Sequence, residues 1–154
     1  MKKFISVMLV AAMAVTALTG CGSNSGSSSK KDADKYYIGG IGPTTGATAI
    51  YGTAVKNGAQ IAVDEINAAG GINGKQIEYR FEDDQNDAEK AVNAYNTLKD
   101  WGMQMLMGTV TSTPCVSVAA KTAEDNMFQL TPSGSSVECV QSDNAFRVCF
   151  SDPD

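Results

Sequence analysis

The stretch "GIGPTTGATAIYG", Gly40–Gly52, comes just after the apolar "YYI" of Tyr36–Ile38 and carries four glycines, one proline, four hydroxyl or phenol groups and no charge. That composition describes a loop at the end of a strand. Gly40, Gly42 and Gly46 come within one residue of the dinucleotide fingerprint G-x-G-x-x-G. The match fails physically. Gly46 stands one position late, Pro43 removes a backbone donor from the middle, and no acid lies about 20 residues on at the end of a second strand to take a ribose hydroxyl. A phosphate loop ending in Gly-Lys-Ser/Thr is also absent. The loop is therefore read as holding something smaller than a nucleotide.

Outward from this loop, Tyr37–Ile41 is a first strand. From about Ile50 to Ala69, the residues Val55, Ala59, Ala62, Val63 and Ile66 mark one face of an amphipathic helix. Gly70 or Gly71 closes that helix with Ile72 as its apolar contact, and Asn73-Gly74 signals a tight turn. Ile77, Tyr79 and Phe81 then alternate with Glu78, Arg80 and Glu82, a strand with one polar face that suits a sheet edge. "DDQND", Asp83–Asp87, is a polar loop ending in a helix cap. Ala88, Ala91, Val92, Tyr95 and Leu98 give the next helix face, which Gly102 ends. Met103–Val110 reads as a strand covered on both faces. "TSTP" supplies a cap and a proline at the first helical position, ahead of a stripe of Val116, Ala119, Ala120 and Ala123. Phe128–Thr131 and Phe146–Phe150 complete the strands. This β-α-β-α-β-α-β order predicts an α/β fold with an open, doubly wound, mostly parallel sheet.

The beginning of the chain is different in kind. Lys2 and Lys3 precede an apolar run, Phe4–Leu18, too short for a comfortable membrane span, so residues 1–21 read as an export signal. Its end, "LTGC", resembles the bacterial lipobox, which makes Cys21 the expected site of lipidation. Residues 22–34, with "GSNSGSSS", form a flexible tether. Residues 35–154 suffice for one core of ordinary size, not two.

The net charge of −5 and the absence of a basic run beyond Lys30 and Lys31 argue against nucleic-acid binding. With no histidine, the usual general base and the commonest metal ligand are missing. No cofactor is expected. Cys115, Cys139 and Cys149 show no C-x-x-C spacing and read as small buried apolar groups. A Cys139–Cys149 disulfide and a lowered pKa at Cys115 are the alternatives.

Ligands of open parallel sheets sit beyond the carboxyl ends of the strands. Three loops fall there: "GPTTGATAIYG", "GTVTSTP" and "TPSGSS", all uncharged and rich in hydroxyls. Helix N-termini and Gly/Ser/Thr backbone favour an anion without adding charge, so a small carboxylate is the natural guest. Tyr51 is the aromatic group available to cover its apolar part.

Lipobox, tether, "IGGIGPTTGATAIYGTAVKNGAQIAVDEINAAGGINGKQIEYRFEDDQND", "LMGTVTS", "LTPSGSS" and "FRVCFSDPD" together resemble the branched-chain amino acid (Leu/Ile/Val) solute-binding proteins of ABC importers. The resemblance runs from Tyr36 to Asp154. It implies two α/β lobes that close on an amino acid, with residues 35–154 as the N-terminal ligand-binding lobe. It places Ser112 on the ligand carboxylate, Ser133 and Ser135 on carboxylate and ammonium, and Tyr51 on the ligand side chain. Partners implied are an amino acid, an ABC permease with its ATPase, and the membrane through lipid on Cys21. The implied location is the extracytoplasmic face of the cell membrane.

Two departures accompany the likeness. Serines stand where the best-known members carry small and threonine residues in "PSGSS", and the disulfide of those members falls here on Asn86 and Thr111. By the same likeness the chain is expected to be the front of a longer protein, without its second lobe and the acidic partner of the ligand ammonium. An amino-acid-sensing receptor lobe of the same fold, and an enzyme on a doubly wound sheet, are the competing classes. The lack of a membrane span beside the lipobox weighs against the first, and the missing histidine and nucleophile elbow against the second.

Overall fold

A computed structural model describes residues 35–153. The export signal, the tether and Cys21 lie outside the described residues. Five strands, β1 (Lys35–Gly42), β2 (Gln76–Asp83), β3 (Met105–Met107), β4 (Gln129–Thr131) and β5 (Ala145–Arg147), form one sheet in the order β2-β1-β3-β4-β5. All four pairings are parallel. The α/β, doubly wound expectation holds, with β2 on an edge.

Helices α1 (Ala49–Ala68), α2 (Ala88–Trp101) and α3 (Ser112–Asp125) join the first four strands, and a short 3-10 turn, Val137–Val140, leads to β5. The order reverses at β1: α1 carries the chain to one side, while α2 carries it back past β1 to β3. Right-handed crossovers in opposite directions put α1 on one sheet face and α2 with α3 on the other. The crevice between β1 and β3 is thus the topological switch point.

The core lies under α2 and α3. Ile41 and Leu106 from the sheet meet Ala91, Tyr95 and Leu98 of α2 and Val118 of α3, all fully buried. Each such large side chain contributes on the order of 1.5–3 kcal/mol. Asp87 caps α2 by accepting from Lys90 N–H at 2.8 Å, and Gly102 ends it at φ 89°, a left-handed conformation that glycine adopts without cost. Tyr95 Oη donates to Asp125 Oδ2 at 2.8 Å, clasping α2 to α3.

The other face differs from expectation. Of the α1 stripe, Val63 alone is buried; Val55, Ala59, Ala62 and Ile66 line an apolar groove with Ile38, Tyr79, Met105 and Met107. β3 is therefore covered on one face only among the described residues. It is also shorter than Met103–Val110, because Gly108 at φ 154° turns the backbone before Val110 N–H returns to Ile41 O at 3.1 Å. β4 and β5 are likewise shorter, and β5 is shifted toward Ala145. The α3 cap is Thr111, so Pro114 is the third helical residue, still within the turn whose N–H groups lack helical partners. Asn73 and Gly74 both take positive φ in the turn that closes Ile72 onto Lys75, as read.

Candidate ligand-binding site

The loops after β1, β3 and β4 meet at the switch point. Between them lies a concavity of about 380 Å³ lined by Tyr51, Val110, Thr111, Ser112, Ser133, Ser135, Cys149 and Phe150. All four residues that sequence reasoning singled out among the described residues, Tyr51, Ser112, Ser133 and Ser135, share this one hollow. The slightly larger groove beside α1, about 400 Å³, is lined almost wholly by apolar side chains and offers nothing to a charged ligand.

Two of the loops have definable anchors. The first is held by Asp83 at the end of β2, whose carboxylate accepts from Thr44 N–H at 2.8 Å and Thr45 Oγ1 at 2.5 Å. It also rests on α1 where that helix lacks a side chain: a Cβ on Gly52 would lie 1.9 Å from Pro43 O. Close approach of loop to helix thus fixes the position of Tyr51 next door. The third loop is held by Arg147 of β5, which donates to Ser135 O at 2.6 Å and Ser136 O at 3.1 Å. Thr131 Oγ1 completes the turn, accepting from Gly134 N–H at 2.8 Å and donating to Thr109 O at 2.7 Å.

The hydroxyls carry directional information. Ser133 Oγ donates its proton to Val110 O at 2.6 Å, leaving lone pairs free to accept. Ser112 Oγ accepts from Ser136 N–H at 3.3 Å, which leaves its own proton free to donate. One hydroxyl therefore suits an ammonium and the other a carboxylate. Ser112 is also the first residue of α3, where unpaired N–H groups and the helix dipole favour negative charge. Tyr51 and Phe150 are largely exposed at the rim, and with Val110 they supply the apolar surface.

Sequence reasoning missed Val110, Thr111, Cys149 and Phe150 in the lining, and Asp83 and Arg147 behind it. Arg147 carried a signal, as one of two arginines in the chain and on a short edge strand. Cys149 and Phe150, read as strand, lie beyond β5 and turn into the hollow. The alternative of a Cys139–Cys149 disulfide is not what the structure shows: the three cysteines among the described residues are free, and Cys139 lies beside Cys115 under Gly134. Cys115 and Cys139 are fully buried, as expected of small apolar groups. The neighbouring Cys139 thiol outweighs burial and lowers the pKa of the Cys115 thiol from its ordinary value.

A model of the periplasmic binding protein family matches residues 35–154, and the chain belongs to that family, whose members bind solutes. It is 38% identical to the Leu/Ile/Val-binding protein BraC3 of Rhizobium johnstonii over 75% of this chain and 32% of that protein. Among solved structures it is similar to the branched-chain amino acid transporter substrate-binding protein LivJ of Streptococcus pneumoniae in complex with isoleucine. There the identity is 33% and the TM-score 0.72, over 76% of this chain and 34% of the other. The leucine-binding protein LivK of Thermotoga maritima is 25% identical with a TM-score of 0.68, over 76% and 33%. The chain spans about a third of the length of the proteins it matches.

Proposed function

We propose that the hollow is the first-lobe floor of an amino-acid site, and that the protein captures branched-chain or related amino acids outside the cytoplasm and delivers them to an ABC permease. The observation that carries this reading is the pairing of a free donor at Ser112 with a free acceptor at Ser133 in one uncharged hollow. The ligand carboxylate sits on the Ser112 hydroxyl and the first turn of α3. Its ammonium is held by Ser133 Oγ, with Ser135 contributing beside it. Tyr51, Val110 and Phe150 contact the side chain. Two similar proteins, BraC3 and LivJ, are named for Leu/Ile/Val and for branched-chain amino acids, which supports the substrate class.

Membrane attachment through lipid on Cys21, after removal of residues 1–20 and ahead of a tether reaching residue 34, belongs to the same proposal and rests on "LTGC". Calorimetric titration of the protein with leucine, isoleucine and valine, and with their methyl esters and N-acetyl derivatives, tests the site. Binding lost on blocking either end group supports it. Equal binding of blocked and free forms contradicts it.

A further inference from the structure

Cys115 and Cys139 come from different elements, the first turns of α3 and the 3-10 turn Val137–Val140, yet their sulfurs meet beneath the third loop. A Cβ built on Gly134 would lie 3.2 Å from each sulfur, so both press on the same side of one Cα and lie within twice that distance of each other. The Cys139 thiol donates to Ser112 O at 3.8 Å, in the first turn of α3 beside Cys115. Cys115 Sγ also accepts from Gln129 Nε2 at 3.3 Å, and Gln129 is itself fixed by Thr122 Oγ1 at 2.7 Å. This polar clamp, fully buried, holds Cys115 in one orientation facing its partner. Cys149 stands apart in the hollow, half-buried.

We propose that Cys115 and Cys139 are a disulfide-forming pair whose bond ties the Ser133–Ser135 loop to the first turn of α3. The oxidant is an external disulfide, of a low-molecular-weight thiol or of a dithiol oxidoreductase. The Cys115 thiolate attacks one sulfur of that disulfide, breaking its S–S bond and releasing one thiol. The Cys139 thiolate then attacks the Cys115 sulfur of the mixed disulfide and expels the second thiol. One S–S bond forms in the protein, one breaks in the oxidant, and the two cysteine protons end on the two thiols released. Because both sulfurs are buried, exchange takes place before the loop closes or while it is open.

The consequence falls on the site. Gly134 lies over the pair and between Ser133 and Ser135, so a covalent link below it restricts the loop that presents both hydroxyls. Closing residues 115–139 into a ring also removes freedom from the unfolded chain. The proposal does not depend on the identity of the ligand.

The chain is equilibrated in glutathione redox buffer, denatured, alkylated without reductant and digested with trypsin. Lys121 and Arg147 separate the three cysteines into different peptides. The expected product is a cross-linked pair of peptides holding Cys115 and Cys139, with Cys149 alkylated. The oxidised protein should also melt about 5 °C or more above the reduced one, a difference lost in Cys139→Ser. Alkylation of both Cys115 and Cys139, or cross-links shared with Cys149, overturns the proposal, and the wild-type digest alone decides between these outcomes.

Discussion

Ser112 Oγ accepts the backbone N–H of Ser136 at 3.3 Å, so the hydroxyl that opens α3 also holds the loop after β4. The bond uses the oxygen and spares the proton. Ser112→Ala should therefore weaken amino-acid binding by about 1–2 kcal/mol, through loss of a donor to a charged carboxylate. Stability should fall by less than about 1 kcal/mol, since one long, part-buried bond is lost. Calorimetry and a denaturant titration of the same variant separate the two effects.

Two glycines of α1 should respond oppositely to alanine. A Cβ on Gly52 would meet Pro43 O at 1.9 Å, whereas nothing lies within 4 Å of one on Gly58. Gly52→Ala should cost about 1–3 kcal/mol by forcing the first loop off the helix. Gly58→Ala should add up to about 1 kcal/mol through helix propensity. Urea unfolding of both variants checks the sign.

Much of this arrangement is legible in the sequence because it is local. Apolar periodicity marks α1 and α2, Asn73-Gly74 marks its turn, and Asp87 and Gly102 mark the ends of α2. The composition of three loops points to one uncharged hollow, since successive parallel strands deliver their carboxyl ends to the same side. What the sequence could not show depends on tertiary contact. The periodicity of Val55, Ala59, Ala62 and Ile66 says that the face is apolar, not that packing closes it. Arg147 reaches the third loop only because β5 pairs with β4. Cys139 meets Cys115 rather than Cys149 because the 3-10 turn folds back beneath Gly134, a path with no short-range signal.

Asp83 should make the first loop pH-sensitive. Slight burial works upward on its carboxyl, but hydrogen bonds from Thr45 Oγ1 and the Thr44 and Gln85 N–H groups prevail and hold its pKa below the usual carboxylate value. A depressed folded pKa gives stability that is present above the unfolded pKa and lost as pH falls through the folded one. The hydrogen-exchange protection factor at Thr44 should therefore fall below about pH 4 more steeply than those of core amides. Asp83→Ala should show fast exchange there at neutral pH with the fold intact.

Asp84, its neighbour, should behave in the opposite way. Burial, reinforced by the charge of Asp83 and opposed by the Asn86 N–H, raises its carboxyl from 3.8 to about 6, and its Oδ2 is buried with no partner among the described residues. The folded state then binds more protons than the unfolded one between these values, so stability falls as pH rises through them. Relative to the wild type, Asp84→Asn should gain about 1–3 kcal/mol between pH 4 and pH 8. Denaturant midpoints measured across that range provide the check.

In the function proposed above, the hollow between the first turn of α3 and the Ser133–Ser135 loop receives an amino acid through its charged ends. Backbone amide NMR spectra of the chain titrated with isoleucine, then with isoleucine methyl ester, address it most directly, because even millimolar binding is resolved residue by residue. Shifts centred on Thr111, Ser112, Gly134 and Ser135 are expected with the free amino acid, and their loss with the ester. Shifts centred on the groove lined by Val55, Ala59 and Met105, or an ester that reproduces those of the free amino acid, would contradict it.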